Sequence, residues 1–283
     1  MEVEDARQRM KKLLFTDLDG SLLDHHNYDY SPALPALKML ESKQVPCVFT
    51  TSKTAAEVID IRNELKITSP FIVENGAGVF WPANSISRTD VPDDVAIESW
   101  NAAYDYVRLS SISLPGVLEL SDQLRAKFGF SYIGMSEMTV EQVIESTGLS
   151  YEQAEKAKLR TFSEPVLWQD SEANLSMFRS FIEPHGLQVI KGGRFVHLMG
   201  KANKGKALKF LKQFYEKRWD EDVTTIALGD GENDIPLLEA GDTAIIIRSP
   251  VNKSPKIKHS NKKTTRAYGP TGWNKAVMEW LNK

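Results

Sequence analysis

Four short stretches hold most of the residues that could do chemistry. In DLDGSLLD (17–24), Asp17 and Asp19 are separated by one residue and followed by Gly20 and the hydroxyl of Ser21. In an extended segment residues i and i+2 point the same way, so the two carboxylates are expected to converge. Gly20 lets the backbone leave the strand sharply. Carboxylates that close repel each other unless a cation lies between them or one keeps its proton. A second acidic stretch, GDGEND (229–234), sets Asp230 and Asp234 among glycines. TTSKT (50–54) brings hydroxyls and Lys53 to a helix start, where unpaired backbone N–H groups favour anions. In KANKGK (201–206), one of Lys201, Lys204 and Lys206 could face a phosphate at the opening of the next helix. Taken singly each has a plainer reading: an acidic turn, a helix cap with Glu57 completing a capping box, or a solvated lysine face. Together they form a kit for Mg²⁺-assisted phosphoryl transfer. Mg²⁺ takes hard oxygen ligands and keeps waters that a phosphate can replace, and an aspartate can attack phosphorus to split one hydrolysis into two steps.

These stretches need elements to hold them. Residues 13–16 (LLFT), Val45–Thr50, Phe71–Val73, Thr224–Leu228 and TAIIIRSP read as short buried strands, and each chemical stretch follows one or precedes a helix. A helix opened by Pro32 or Pro35 and running to Ser42, with Leu34, Leu37 and Leu40 on its apolar face, gives a β–α–β start. That implies a right-handed crossover and a parallel sheet, with ligands at the strands' carboxyl ends. Glu74-Asn75-Gly76-Ala77-Gly78 is either a hairpin turn or a third ligand-facing loop. From about Pro82 to Met199 the parallel rhythm is lost. Helices are expected over Ser99–Ser110, Gly116–Phe128, Thr139–Ser146, Tyr151–Lys158 (opened by Ser150) and Glu172–His185, with a strand at FSEPVLWQD. LQVIKGGRFVHLM is expected as a hairpin turning on Gly192-Gly193, with Arg194 a second anion contact and His197 a structural residue before a functional one. The rhythm resumes with a helix at KGKALKFLKQFYEK, striped by Ala207, Leu208, Leu211 and Phe214. Arg248–Arg266 reads as a solvated basic loop without interleaved aromatics, and a last helix runs from Asn274 to Leu281. The fold class is α/β: a Rossmann-like, doubly wound parallel sheet with an inserted α+β cap, divided as core 1–82, cap 83–199 and core 200–283. Residues 1–10 read as a tail or short helix joining the first strand.

Composition narrows the partners. The 283 residues are 41% hydrophobic and 26% charged, ordinary for a globular protein. A net charge of -3 offers no global attraction to nucleic acid or acidic membranes. The single Cys47 excludes an intrachain disulfide and, set in VPCVFTT, reads as a core thiol. No apolar run spans a bilayer and the first residues lack an apolar signal region, so a cytoplasmic protein is expected. His25 and His26 are adjacent, their side chains diverge, and no other ligands are spaced around them.

With DLDGSLLD and GDGENDIPLLE in place, the chain resembles the haloacid dehalogenase-like hydrolases, in the branch with a large α+β cap inserted after the third core strand. TTSKTAAEV, PFIVENGAGVF, MTVEQVIESTGLS, GGRFVH, NKGKAL and YGPTGW make it similar, more narrowly, to the mannosyl-3-phosphoglycerate phosphatase family. The resemblance implies Asp17 as nucleophile and Mg²⁺ ligand. Asp19 would be the acid and base for leaving group and water, its backbone carbonyl touching the metal. Asp230 would be the third protein ligand, with Asp234 supporting it. Thr51 would bind a phosphoryl oxygen, Lys204 offset transition-state charge, and Lys53, Asn75 and Gly76 hold phosphate or glycerate. Arg194 would meet the substrate carboxylate, with specificity set around it and Ser136–Thr139. Ser21 stands where many relatives have threonine, which keeps the hydroxyl. The implied substrate is a small phosphorylated sugar acid, mannosyl- or glucosyl-3-phosphoglycerate, hydrolysed with Mg²⁺ to the glycosylglycerate. Alternatives are another sugar phosphate, such as sucrose phosphate or a hexose phosphate, a phosphomutase, or a silent binding protein on the same fold. The intact Asp17, Asp19, Thr51, Lys204 and Asp230 argue against the silent protein.

Overall fold

A computed structural model describes residues 11–191 and 194–283; the 1–10 segment and the turn expected at Gly192-Gly193 lie outside the described residues. Strand β1 (Lys11–Thr16) is fully buried over its last four residues. Helix α1 (Leu34–Ser42) buries Ala36 and Leu40, whereas Leu34 is exposed, which corrects the expected Leu34–Leu37–Leu40 face. A 3₁₀ turn at Ser31–Ala33 runs straight into α1 and turns Ala33 inward, rotating the stripe. Strand β2 (Cys47–Phe49) holds Cys47 in the core, where burial pushes its thiol up to about 12 and leaves it inert.

Helix α2 (Ala55–Glu64) starts where the sequence places it. Thr54 Oγ1 accepts from the Glu57 N–H at 3.2 Å, and Glu57 Oε2 accepts from the Thr54 N–H at 2.8 Å. Thr54→Ala is expected to cost about 1–2 kcal/mol in urea unfolding, with Thr54→Ser recovering most of it. Equal stability of Thr54→Ala and wild type would remove the cap from the account.

Strands β3 (Phe71–Val73) and β4 (Gly78–Pro82) pair antiparallel, Phe71 opposite Phe80, and the Glu74–Gly76 turn between them makes a hairpin. They share a sheet, in the order β3-β4-β6-β5, with β5 (Ile97–Asn101) and β6 (Tyr104–Arg108). A helix expected over Ser99–Ser110 is therefore a β-hairpin. Alternating aromatic and β-branched side chains decide it, since Tyr106 stacks on Phe80 at 5.3 Å and Phe80 on Phe71 at 5.3 Å. Asn101 Oδ1 closes the turn by accepting from the N–H groups of Ala103 and Tyr104.

Helix α3 (Leu114–Phe128), β7 (Tyr132–Gly134), α4 (Val140–Thr147), α5 (Tyr151–Lys158), β8 (Ser163–Trp168), α6 (Glu172–Ile182), β9 (Leu187–Lys191) and β10 (Val196–Gly200) follow. The strands form an antiparallel sheet, β7-β8-β10-β9. One face is packed by Val117, Phe130, Val166, Phe178 and Leu198. A separate cluster gathers Met135, Met138, Val143, Ala154 and Phe195. Thr139 and Ser150 cap α4 and α5 with full capping boxes, which is why both helices match their sequence expectation.

The chain closes with α7 (Lys204–Trp219), β11 (Val223–Gly229), α8 (Ile235–Ala240), β12 (Thr243–Arg248), β13 (Lys262–Tyr268) and α9 (Gly269–Leu281). The core sheet is parallel, in the order β13-β12-β11-β1-β2, with Leu14 opposite Ile226. Two expectations change here. Lys262–Tyr268 is not loop but a lysine-bearing edge strand, whose charges discourage further pairing. YGPTGW supplies the first turns of α9, because Pro270 sits in its first turn.

Two compact units result. One comprises the described residues to Val48, Thr89–Pro92 and Leu208–Lys283; the other comprises Phe49–Arg88 and Asp93–Ala207. No helix among the described residues is long and apolar enough to cross a membrane.

Candidate active site

In the first unit the backbone leaves β1 at Thr16 and folds into a closed turn. The Leu18 carbonyl accepts from Ser21 and Leu23 N–H groups, and Gly20 N–H donates to the Leu23 carbonyl. Asp17 stays tied to the neighbouring strand, its N–H donating to the Leu228 carbonyl at 2.9 Å. Its carboxylate groups with those of Asp230 and Asp234, one oxygen from each lying within 4.8 Å of the others, all three residues buried. Asp19 is outside that group. The i, i+2 convergence expected for Asp17 and Asp19 does not make the cluster, because the strand ends before Asp17. What meets Asp17 is the loop after the adjacent parallel strand β11.

Asp234 acts as a brace. Its Oδ2 accepts from the N–H groups of Asp230 at 3.0 Å and Gly231 at 3.1 Å, which shapes the GDGEND loop. Gly20, at φ +77, leaves room for Asp230: a Cβ there would lie 2.4 Å from Asp230 Oδ2. Ser21 is buried and its Oγ has no hydrogen-bond partner among the described residues. Three buried carboxylates this close are relieved by a cation between them or by a retained proton, and an all-oxygen donor set suits a hard divalent cation. The residues therefore fit a metal site. His25 and His26 are elsewhere, packed edge to face on each other at 5.4 Å.

In the second unit the TTSKT and ENG loops are laced together by backbone. Glu74 N–H donates to the Lys53 carbonyl at 3.0 Å and Asn75 N–H to the Thr51 carbonyl at 2.9 Å. Thr51 is buried, and its Oγ1 accepts from the Lys53 N–H at 3.2 Å. Lys53 Nζ lies 3.8 Å from Glu57 Oε1. Asn75 adopts a left-handed conformation, φ 59. Gly76, at φ +92, lets the Asn203–Lys204 backbone approach, since a Cβ would fall 2.3 Å from the Asn203 carbonyl carbon. Lys204 is wholly buried at the head of α7, whereas Lys201 and Lys206 are exposed. Thr51, Lys53, Asn75, Gly76 and Lys204 thus come together. Arg194 does not join them in any printed contact: it is exposed and donates to the Ser146 carbonyl.

Sequence reasoning missed four residues. Asn252 Nδ2 donates to Asp230 Oδ2 at 2.9 Å, from a stretch read only as solvated loop. Trp273 Nε1 donates to Thr16 Oγ1 at 2.9 Å, and that hydroxyl donates to the Asp17 carbonyl at 2.7 Å, fixing the strand end that carries Asp17. Glu74, 1% exposed, accepts from Thr161 N–H, Phe162 N–H and Ser163 Oγ, pinning the start of β8. Arg160 donates to the Ser52 carbonyl at 2.8 Å. Trp273 carried a signal as part of YGPTGW and Glu74 as part of PFIVENGAGVF, whereas Asn252 and Arg160 carried none.

A parallel α/β core, an inserted antiparallel cap and an aspartate cluster after two adjacent strands define a class. Residues 14–272 match the family model of the haloacid dehalogenase-like hydrolases, and the chain belongs to that family. It is 38% identical over 279 residues to the glucosyl-3-phosphoglycerate/mannosyl-3-phosphoglycerate phosphatase of Methanococcoides burtonii, covering 97% of this chain and 98% of that one. It is 36% identical over 275 residues to the protein of that name from Persephonella marina, covering 96% and 97%. Among solved structures it shares its fold with SMU.1108c of Streptococcus mutans (TM-score 0.64, 18% identity, 96% of this chain and 100% of that one). The sucrose-phosphatase of Synechocystis is similar in fold as well (TM-score 0.60, 12% identity, 96% and 98%).

Proposed function

We propose that this hydrolase is a Mg²⁺-dependent phosphatase that cleaves glucosyl- or mannosyl-3-phosphoglycerate to phosphate and the glycosylglycerate. The observation that carries the reading is end-to-end identity of 36–38% to phosphatases named for those substrates. The buried aspartate cluster supplies the matching chemistry.

Asp17 attacks phosphorus in line with the departing sugar-acid oxygen, forming an aspartyl-phosphate as the P–O ester bond breaks. Asp19 acts as the general acid and passes a proton to that oxygen. It then takes a proton from water as the water attacks phosphorus, and the Asp17–phosphorus bond breaks to release phosphate and restore the carboxylate. Thr51, Lys53, Asn75 and Gly76 hold the phosphoryl oxygens and glycerate, and Lys204 offsets the charge that builds in the transition state. The family resemblance gives the carboxylate to Arg194, which here is exposed and donates to the Ser146 carbonyl. Mg²⁺, held by Asp17, Asp230 and the Asp19 carbonyl with Asp234 behind them, would neutralise charge between nucleophile and phosphate.

Phosphate release from mannosyl- and glucosyl-3-phosphoglycerate, beside sucrose phosphate and hexose phosphates, tests the reading. A preference of about tenfold or more in kcat/KM for the glycosyl phosphoglycerates is expected, abolished by chelator and restored by Mg²⁺. Equal, weak turnover across the panel would overturn the substrate, and turnover in chelator would overturn the metal.

A further inference from the structure

Arg160 lies just before β8 in the same unit as Thr51 and Lys53. Its Nη1 donates to the Ser52 carbonyl at 2.8 Å, inside the TTSKT loop. Its Nε is buried and has no hydrogen-bond partner among the described residues. Among the described residues no carboxylate forms an ion pair with it. Glu164 is close enough to feel its charge, but Glu164 Oε1 is spent on the N–H and Oγ of Ser136, at 2.9 and 2.8 Å. A second orphan sits nearby: His197 Nδ1 is buried without a partner, on β10 opposite Pro165 of β8. Burial, with the Arg160 charge adding to it, pushes His197 down to about 3, so it stays neutral and leaves Arg160 the cation there.

A buried donor without an acceptor is costly unless something else comes to meet it. One end of the guanidinium is held by Ser52, and the Nε–Nη2 edge has no protein acceptor among the described residues. That edge presents two parallel N–H groups, which match the two oxygens of a planar carboxylate. Resting on the functional reading above, the phosphate already has Thr51, Lys53 and Lys204. The substrate's other anion is the glycerate carboxylate, a three-carbon chain away. We infer that Arg160, anchored on the phosphate loop through Ser52, binds the substrate carboxylate through its Nε–Nη2 edge and sets the preference for phosphoglycerate esters. Arg194, to which the resemblance gives this role, is exposed and bonded to the Ser146 carbonyl, where solvent weakens any ion pair.

The test compares kcat/KM for the glycosyl-3-phosphoglycerate with that for the matched glycosyl glycerol phosphate, in which a hydroxymethyl group replaces the carboxylate. Taking the ratio within each preparation cancels differences in the folded fraction. Arg160→Gln is expected to lower the ratio by about 10- to 100-fold, the size of a charge-assisted contact. Arg160→Lys keeps charge without the fork and should recover part of it; it also carries the comparison if Arg160→Gln is too unstable to assay. Arg194→Ala should lower the ratio far less. A ratio for Arg160→Gln within about twofold of wild type, or a larger fall in Arg194→Ala, would overturn the inference. A wild-type enzyme with no preference for the carboxylate would instead overturn the functional reading, and it is read before any substitution.

Discussion

Replacing Asp17 by asparagine is expected to cut phosphate release by roughly 10⁴-fold or more, because the shape stays and the anionic nucleophile is lost. The structure adds a thermodynamic signature. Asp17 shares its cluster with Asp230 and Asp234, all buried, with oxygens within 4.8 Å. In chelator Asp17→Asn should keep a cooperative unfolding transition, since asparagine preserves the shape of the buried side chain. The rise in midpoint on adding Mg²⁺ should shrink, since one ligand is weakened and ligand binding stabilises in proportion to affinity. Wild-type turnover would refute Asp17 as nucleophile. Lost turnover with an undiminished Mg²⁺ response would keep the nucleophile and refute Asp17 as a metal ligand.

Gly76→Ala should be the most damaging of the conservative changes. The residue sits at φ +92, and a Cβ would come within 2.3 Å of both the Asn203 carbonyl carbon and oxygen and 2.7 Å of the Lys204 nitrogen. Backbone cannot swing aside as a side chain can, so conformational strain and overpacking add, for about 2–5 kcal/mol. Gly148 offers the control: its φ is +78, and nothing lies within 4 Å of its Cβ position. Gly148→Ala should cost only the strain, about 1–2 kcal/mol. Urea unfolding of the two variants measures the difference, which isolates the close approach. The folded fraction of Gly76→Ala should also lose about 100-fold in kcat, because displacing Asn203 moves Lys204. Equal destabilisation of the two variants would mean that the Gly76–Asn203 approach places no demand on the chain.

Elements whose signals are local were legible. Thr54, Thr139 and Ser150 cap their helices through bonds to the third residue on, as the spacing to Glu57, Gln142 and Gln153 implies. The strands before DLDGS and GDGEND stand where short apolar runs placed them, and they pair in parallel. The stretch over Ser99–Ser110 misled because its apolar spacing fits a helix loosely. The aromatic ladder from Phe71 through Phe80 to Tyr106 decides for strands, and it exists only once β3, β4 and β6 are side by side. The edge strand Lys262–Tyr268 was hidden likewise, since exposed lysines read the same in a loop and on a sheet edge.

By itself the sequence determined the chemical parts: two acidic loops, a hydroxyl-lysine loop, a lysine at a helix head, and the parallel α/β frame that sets them at strand ends. These depend on residue type and on periodicity over a few positions. The family resemblance implied which acidic parts meet, and the tertiary structure showed how. It gave Asp17 the company of Asp230 and Asp234 rather than Asp19. Of the three lysines it buries Lys204, the one the family resemblance singles out, and leaves Lys201 and Lys206 exposed. It joined Trp273 to Thr16 and Asn252 to Asp230, and it left Arg160 beside the TTSKT loop with a donor edge that meets no acceptor among the described residues. Each of these is a contact between residues distant in the chain, fixed by how whole elements pack, and no local pattern encodes it.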